Sequence, residues 1–89
     1  MPTVYVPFIR REDFEAFQRL LGVHLSGPYD EWEHTRHRRI DQSIMARRRI
    51  VSPQIDPDEF ADWLRTTRRE ATLDALDDYA FVIGTNSDE

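Results

Sequence analysis

The feature that most constrains the fold of this chain is an internal repeat at an offset of 46 residues. Residues 7–17 read PFIRREDFEAF, and residues 53–63 read PQIDPDEFADW. Both segments follow the pattern P-x-I-x-x-[ED]-[DE]-F-x-x-[FW], and the match extends back to Val4 against Ile50. Because the same parts recur in the same order, we expect two related strand-then-helix units within one domain.

Each unit opens with a segment of strand character. Residues 3–9 and 49–55 are rich in β-branched and aromatic side chains, which favour strands. Pro7 and Pro53 lie inside these segments, and proline has no N–H to give to a strand ladder. We therefore expect both prolines to face an open edge or to lie at a strand end.

Helical periodicity predicts two helices between the strands. The first should run over about 11–21 and stop at Gly22, a residue common just past helix ends. The second should start at Gly27-Pro28 and end near Ala46. Its apolar side chains fall at helical spacing and predict one buried stripe, interrupted by Arg36: Tyr29, Trp32, Ile40 and Ile44.

Two more helices are predicted after the second strand. The third has a well-marked start, with Asp56 as N-cap, Pro57 in the first helical position and Glu59 completing a capping box. The fourth begins at Thr72 and has Leu73, Leu76, Ala80 and Ile83 on one face. Residues 79–83 also have the composition of a strand, so a third strand is the alternative there.

These elements predict a single α+β domain over residues 1–84, in β-α-α-β-α-α order, followed by a flexible tail over residues 85–89. We expect a small two-stranded antiparallel sheet packed by about four helices, with the repeated helices on one side of the ribbon. The aromatic residues shared by the two copies should meet in one core: Phe14, Phe17, Phe60 and Trp63.

Composition narrows the class of protein. The chain has 89 residues and no cysteine, which excludes disulfides, thiolate metal sites and cysteine nucleophiles. The N-terminal residues lack the pattern of a signal peptide, and the longest apolar run, residues 79–83, is far too short to span a membrane. A small cytoplasmic protein of bacterial type is expected.

The charges are unevenly distributed. The net charge is −5, yet residues 36–49 carry +5 and residues 70–89 carry −6. One interpretation is nucleic-acid binding through the Arg-rich segment. The other is charge pairing, within the chain or between subunits, with the acidic last helix opposite the basic one. On a continuous helix the arginines radiate around the axis at about 100° per residue, which favours the second interpretation.

The candidate interaction surface is this Arg-rich segment. All twelve cationic side chains of the chain are arginines, a bias that GC-rich codon usage explains without any selection for guanidinium chemistry. The proposed surface consists of Arg36, Arg38, Arg39, Arg47, Arg48 and Arg49.

One other cluster has the residue types of a metal site. Asp30, His34, His37 and Asp41 form a narrow stripe on the long helix, beside the apolar one. Two histidines with flanking carboxylates suit a divalent metal, but no distant third ligand is evident, and His–Asp pairs are ordinary on an exposed helix face. We therefore predict no metal ligands here, although metal binding by His34 and His37 is the alternative.

The sequence thus predicts no enzyme. It contains no G-x-S-x-G elbow and has only three glycines, too few for a phosphate-cradling loop, so no catalytic or cofactor-binding residues are assigned and no cofactor is expected. The predicted function is a small protein-interaction or accessory module, whose partner could be a second copy of itself. A nucleic-acid-associated regulator using residues 36–49 is the alternative function, and no membrane association is expected.

Overall fold

A computed structural model of the chain describes residues 2–25 and 27–86. Two short strands and four α-helices occur in this part, in the predicted β-α-α-β-α-α order. They are β1 (Thr3–Tyr5), α1 (Phe14–Leu21), α2 (Tyr29–Met45), β2 (Arg49–Val51), α3 (Pro57–Thr67) and α4 (Leu73–Asn86). Single 3₁₀ turns precede and follow α1, at Arg11–Asp13 and Gly22–Leu25.

The two strands pair in parallel, so the predicted antiparallel ribbon is wrong. Val4 lies opposite Ile50, and an isolated bridge joins Phe8 to Gln54. The partners differ by 46 in both cases, which is the offset of the sequence repeat. Equivalent residues of the two units therefore pair side by side, whereas an antiparallel pair would have required partners with a constant sum. The crossover that parallel strands need is supplied by α1 and α2.

Pro53 removes one rung of this ladder. Val6 N–H donates to the carbonyl of Val51 at 2.9 Å, and Phe8 N–H donates to the carbonyl of Pro53 at 3.0 Å. Between these two bonds, the Val6 carbonyl faces residue 53, which as proline has no N–H to give. The Ser52 hydroxyl takes that place and donates to the Val6 carbonyl at 2.8 Å. Both strands are therefore shorter than predicted and end before their prolines.

The starts of the repeated helices differ as the sequence indicates. The Asp56 carboxylate accepts hydrogen bonds from the N–H groups of Asp58 and Glu59, at 2.8 and 3.0 Å, and Pro57 begins α3. The first copy has Arg10 in place of this cap, and its first turn is 3₁₀ rather than α-helical. The first helix nevertheless ends before Gly22, as predicted.

Residues 79–83 belong to α4, so the helix is confirmed and the alternative third strand is not formed. The helix continues to Asn86, into the segment predicted as a tail, and residues 87–89 lie outside the described part.

Gly84 is where α4 crosses the sheet. A β-carbon at this position would lie 2.5 Å from the ring of Tyr5, so only glycine allows the helix this close.

The four shared aromatic residues meet in one core, as predicted. Phe17 and Phe60 are fully buried, with ring centroids 5.9 Å apart. Each unit adds its own aromatic neighbours. Phe14 contacts Tyr29 and Trp32, while Phe60 contacts Trp63 and Tyr79. The repeat is thus preserved in packing, with α1 and α3 in contact at the centre.

Truncation of Phe60 tests this core. Phe60→Ala should lower the free energy of unfolding by about 3–5 kcal/mol, because it removes a fully buried ring and leaves a cavity. Phe81→Ala is the matched control, since the Phe81 side chain is 54% exposed and should cost far less. Urea denaturation followed by circular dichroism measures both, and equal losses would contradict the assigned burial.

A double-mutant cycle tests the replaced rung. Ser52→Ala should lower the free energy of unfolding by about 1–3 kcal/mol, because the Val6 carbonyl is left without a donor. In a Pro53→Ala background the N–H of residue 53 becomes available to that carbonyl, so Ser52→Ala should cost clearly less there. The same cost in both backgrounds would mean that the hydroxyl does not stand in for the missing N–H.

Candidate interaction surface

The Arg36 side chain is mostly buried, and its guanidinium forms hydrogen bonds within the chain. Its side chain is only 12% exposed, and its Nε donates to the Pro7 carbonyl at 3.1 Å. One Nη group donates to the Ser52 hydroxyl, and the other lies 3.4 Å from the Glu33 carboxylate. The guanidinium also lies over the Phe8 ring, 4.8 Å from its centroid. Arg36 therefore fastens α2 to the sheet.

Tyr29 makes a second link of this kind. Its hydroxyl donates to the Ile9 carbonyl at 2.7 Å, and the Arg11 guanidinium lies over its ring at 4.7 Å. Burial raises the pKa of the Tyr29 phenol, and the nearby Glu33 carboxylate raises it further. The phenol thus keeps its proton and remains a donor. Together, Tyr29 and Arg36 position the N-terminal half of α2.

Arg39 pairs with Asp77 on α4, with Nη1 and Oδ1 3.2 Å apart. This contact joins the basic segment to the acidic last helix, which is the internal charge pairing that the sequence suggested. Both side chains are partly exposed, so the pair contributes little to stability. It does, however, leave Arg39 already matched with a carboxylate.

The remaining arginines of the segment are exposed, with Arg38 near the middle of α2 and the other three past its C-terminal end. The helix ends at Met45, so Arg48 and Arg49 lie beyond it and do not radiate around its axis as the sequence argument assumed. Arg47 follows the helix with a positive φ of 59°, a conformation that favours glycine. Arg38 is exposed on the preceding turns of α2.

These four arginines differ from most others in having no ion-pair partner among the described residues. Seven arginines of the chain form ion pairs there: Arg10, Arg11, Arg19, Arg36, Arg39, Arg65 and Arg69. Apart from the four, only Arg68 has none in this part of the chain. Four of these five unmatched arginines therefore lie on the C-terminal half of α2 or just beyond it.

Two exposed apolar side chains lie at the C-terminal end of α2, shortly before Arg47, Arg48 and Arg49 in the sequence. Ile44 is 59% exposed and Met45 is 84% exposed, so the prediction that Ile44 belongs to a buried stripe is wrong. In this half of α2 only Ser43 is buried, because the helix extends past the main core and packs against short β2. We define the basic–apolar surface by six residues: Arg38, Ile44, Met45, Arg47, Arg48 and Arg49.

A cleft of about 330 Å³ lies beside α2, between that helix, the second 3₁₀ turn and the start of α4. Its apolar lining is Val6, Pro7, Leu25, Trp32, Leu73 and Leu76. Its polar lining is His24, Glu31, Thr35, Arg36, Arg39 and Asp77. Sequence reasoning missed this cleft, because its walls come from segments distant along the chain.

The histidine stripe is not gathered into a metal site. The Asp30 carboxylate pairs with Arg11 at 2.6 Å, and His37 Nε2 lies 3.3 Å from Glu33. In the described part of the chain, no group of three or more histidine, aspartate or glutamate side chains is arranged to hold a metal ion.

Comparison with protein families, curated proteins and solved structures found no match. Among the described residues, no helix has the length and apolar character needed to cross a membrane. The case for a function therefore depends on the geometry of the chain itself.

Substitution of Arg47 tests whether its positive φ destabilises the turn between α2 and β2. Arg47→Gly should raise the free energy of unfolding by about 1 kcal/mol, since glycine adopts a positive φ without the Cβ clash. Arg47→Ala is the control, because alanine keeps the Cβ and should give no such gain. Thermal and urea denaturation measure both, and identical stabilities would contradict the assigned conformation.

Proposed function

We propose that this chain is a non-catalytic protein-interaction module that binds an acidic protein surface through its basic–apolar surface. The observation that supports this most directly is the exposure of Ile44 and Met45 among four arginines without ion-pair partners in the described residues. Exposed apolar side chains are ordinary when isolated. Two that are adjacent in sequence and are followed closely by three unmatched cations form a combination that a partner can cover.

The chemistry of the surface indicates the chemistry of the partner. Methionine and arginine are both enriched where protein interfaces are buried. Methionine adapts its shape to a pocket, and a guanidinium binds a carboxylate through two parallel hydrogen bonds. The complementary partner surface carries an apolar depression for Met45 with carboxylates around it.

Nucleic-acid binding is the second candidate, and one observation favours it. Arg47, Arg48 and Arg49 follow one another in a turn and the start of a strand, so they lie close together instead of around a helix. Three neighbouring cations suit a phosphate backbone. Ile44 and Met45, however, offer nothing to phosphates, and the net charge of −5 opposes approach to a polyanion.

Matched substitutions test the proposal. Tagged full-length chain is used to recover partners from nuclease-treated lysate of the source cell. Met45→Asp should weaken recovery by ten-fold or more, because it places a charge at the centre of the contact, where truncating a hot-spot residue costs about 2 kcal/mol or more. Val23→Asp is the control, since Val23 is 87% exposed and lies outside the basic–apolar surface.

Partners lost equally with Met45→Asp and Val23→Asp would contradict the proposal.

The salt dependence of binding distinguishes nucleic-acid binding from protein binding. Binding to DNA or RNA that persists at physiological salt, and whose log–log salt slope falls by about 0.7–0.9 with Arg48→Ala, would favour nucleic acid instead.

A further inference from the structure

The two outer edges of the sheet differ in what already covers them. Beyond β1, Arg36 donates to the outward carbonyl of Pro7, and Tyr29 donates to that of Ile9. Along β2 and the residues that follow it, the backbone groups of even-numbered residues point outward, and none of them forms a hydrogen bond within the described residues. These residues are Ile50, Ser52 and Gln54. The outer edge of β2 is therefore the open one.

This open edge is longer than β2 itself. The chain stays alongside the first unit as far as the bridge between Phe8 and Gln54, so residues 49–55 form one extended segment. Pro53 directs its carbonyl to Phe8, so its missing N–H interrupts the inner ladder and leaves the outer edge intact. Each outward residue offers one N–H and one C=O, and such a row is a template for a further strand.

The two faces beside this edge have different chemistry. Gly84 of α4 lies against Val51, so odd-numbered side chains of the segment, including that of Arg49, point to the α4 face. Ser52 accepts a hydrogen bond from Arg36, so even-numbered side chains point to the α2 face. A strand added beside β2 would also alternate, with one set of side chains next to Arg49 and the other next to α2.

Ile44 lies on the side of α2 that borders the open edge. Arg36 and Ser43 are on the sheet-facing stripe of the helix, since the first contacts the sheet and the second is buried. Arg39 is displaced from this stripe toward the cleft, which residues 6 and 7 of the first unit also line. Ile44 is displaced about 100° from Ser43 in the opposite direction, toward β2. The α2 face of an added strand therefore meets an exposed apolar side chain.

We infer that the partner of the basic–apolar surface supplies an extended acidic peptide segment, which adds to the open edge of β2 as a third strand. This inference rests on the proposed function, because Ile44 and the arginines that begin β2 belong to that surface. The backbone of the peptide pairs with Ile50, Ser52 and Gln54. Its apolar side chains lie beside Ile44, and its carboxylates lie beside Arg49 on the other face.

Charge complementarity selects an acidic peptide. Arg47, Arg48 and Arg49 stand where the open edge begins, and no carboxylate pairs with them in the part of the chain that the structure describes. Backbone pairing alone accepts almost any extended sequence, so selectivity comes from the side chains. A guanidinium binds a carboxylate through two parallel hydrogen bonds, which favours acidic residues near this end of the added strand.

Backbone methylation of a defined peptide tests strand addition. The probe is a fluorescent peptide of about seven residues, as long as segment 49–55, in which valine and glutamate alternate. In an extended peptide the N–H groups of alternate residues point to opposite edges. Methylating the nitrogens of one residue type should therefore abolish binding, whereas methylating the other should leave the Kd within about two-fold. Fluorescence anisotropy with the full-length parent chain measures both.

Gln54→Pro tests the same edge from the protein. It removes one outward N–H and places a ring where the added strand would lie, yet it breaks no hydrogen bond within the described residues. It should raise the Kd of the peptide about ten-fold or more. Gln54→Ala is the matched control, because it keeps the N–H and should leave the Kd unchanged. Circular dichroism and thermal denaturation check that both variants fold. The methylated peptides use the parent chain and do not depend on this check.

Three outcomes would overturn the inference. The first is equal binding of the two methylated peptides, and the second is no saturable binding of the unmethylated peptide up to about 1 mM. The third is a dimer of the parent chain in sedimentation velocity that Gln54→Pro dissociates and Gln54→Ala does not. That result would assign the open edge to a second copy of the chain.

These outcomes are distinct from failure of the proposed function. If Gln54→Pro binds the peptide as well as Gln54→Ala does, but Met45→Asp still loses a lysate partner that Val23→Asp retains, the surface binds an acidic protein without strand addition. If Met45→Asp loses nothing that Val23→Asp retains, the proposed function fails as well.

Discussion

The placement of α2 depends on Ser52, whose hydroxyl replaces a backbone hydrogen bond missing from the sheet and also accepts a hydrogen bond from Arg36. Pro53 has no N–H for the Val6 carbonyl, and the Ser52 hydroxyl takes its place. Arg36 then donates to Ser52 and to the Pro7 carbonyl, and it lies over Phe8. A guanidinium that is mostly withdrawn from water is costly unless its donors are satisfied. Here they are satisfied by the Pro7 carbonyl, the Ser52 hydroxyl and the Glu33 carboxylate.

Arg36 lies near the middle of the 17-residue helix α2, and its contacts determine how the two halves of that helix pack. The N-terminal half of α2 is anchored through Tyr29 and Arg36. The C-terminal half packs mainly against the short strand β2, and Ile44 and Met45 remain exposed to solvent. The exposure of Ile44 and Met45 is thus a geometric result of a long helix fastened at its centre. The turn after the helix and the start of β2 add Arg47, Arg48 and Arg49 to the basic–apolar surface.

Much of the architecture could be predicted from the sequence, because its signals are local. The cap at Asp56, the stop at Gly22 and the helical periodicity each depend on neighbouring residues. The repeat also predicted which aromatic residues share the core. Strand direction was different, since a three-residue strand has the same composition whichever way its neighbour runs. The offset of 46 did hold that information, because equivalent residues can pair side by side only in a parallel sheet.

The candidate site was harder to predict for a related reason. Six arginines close together in sequence look alike, yet Arg36 and Arg39 are matched inside the chain, and the other four have no such partner in the described part. What separates them is contact with Ser52 and Asp77, which are distant in sequence. Ile44 was assigned to the buried stripe because periodicity reports the face of a helix. It does not report how far along the helix the core extends.

In-register parallel pairing also has a consequence for growth of the sheet. The outer edge of β1 presents the backbone groups of odd-numbered residues such as Thr3, while that of β2 presents those of even-numbered residues such as Ile50. The two edges are unlike and complementary, so strand addition between copies would be head-to-tail and could continue without limit. Strands of three residues offer little template for such polymerisation. Beyond β1, Arg36 and Tyr29 already occupy the outward carbonyls of Pro7 and Ile9. The side chains that hold α2 in place therefore also blunt the edge from which a fibre would grow.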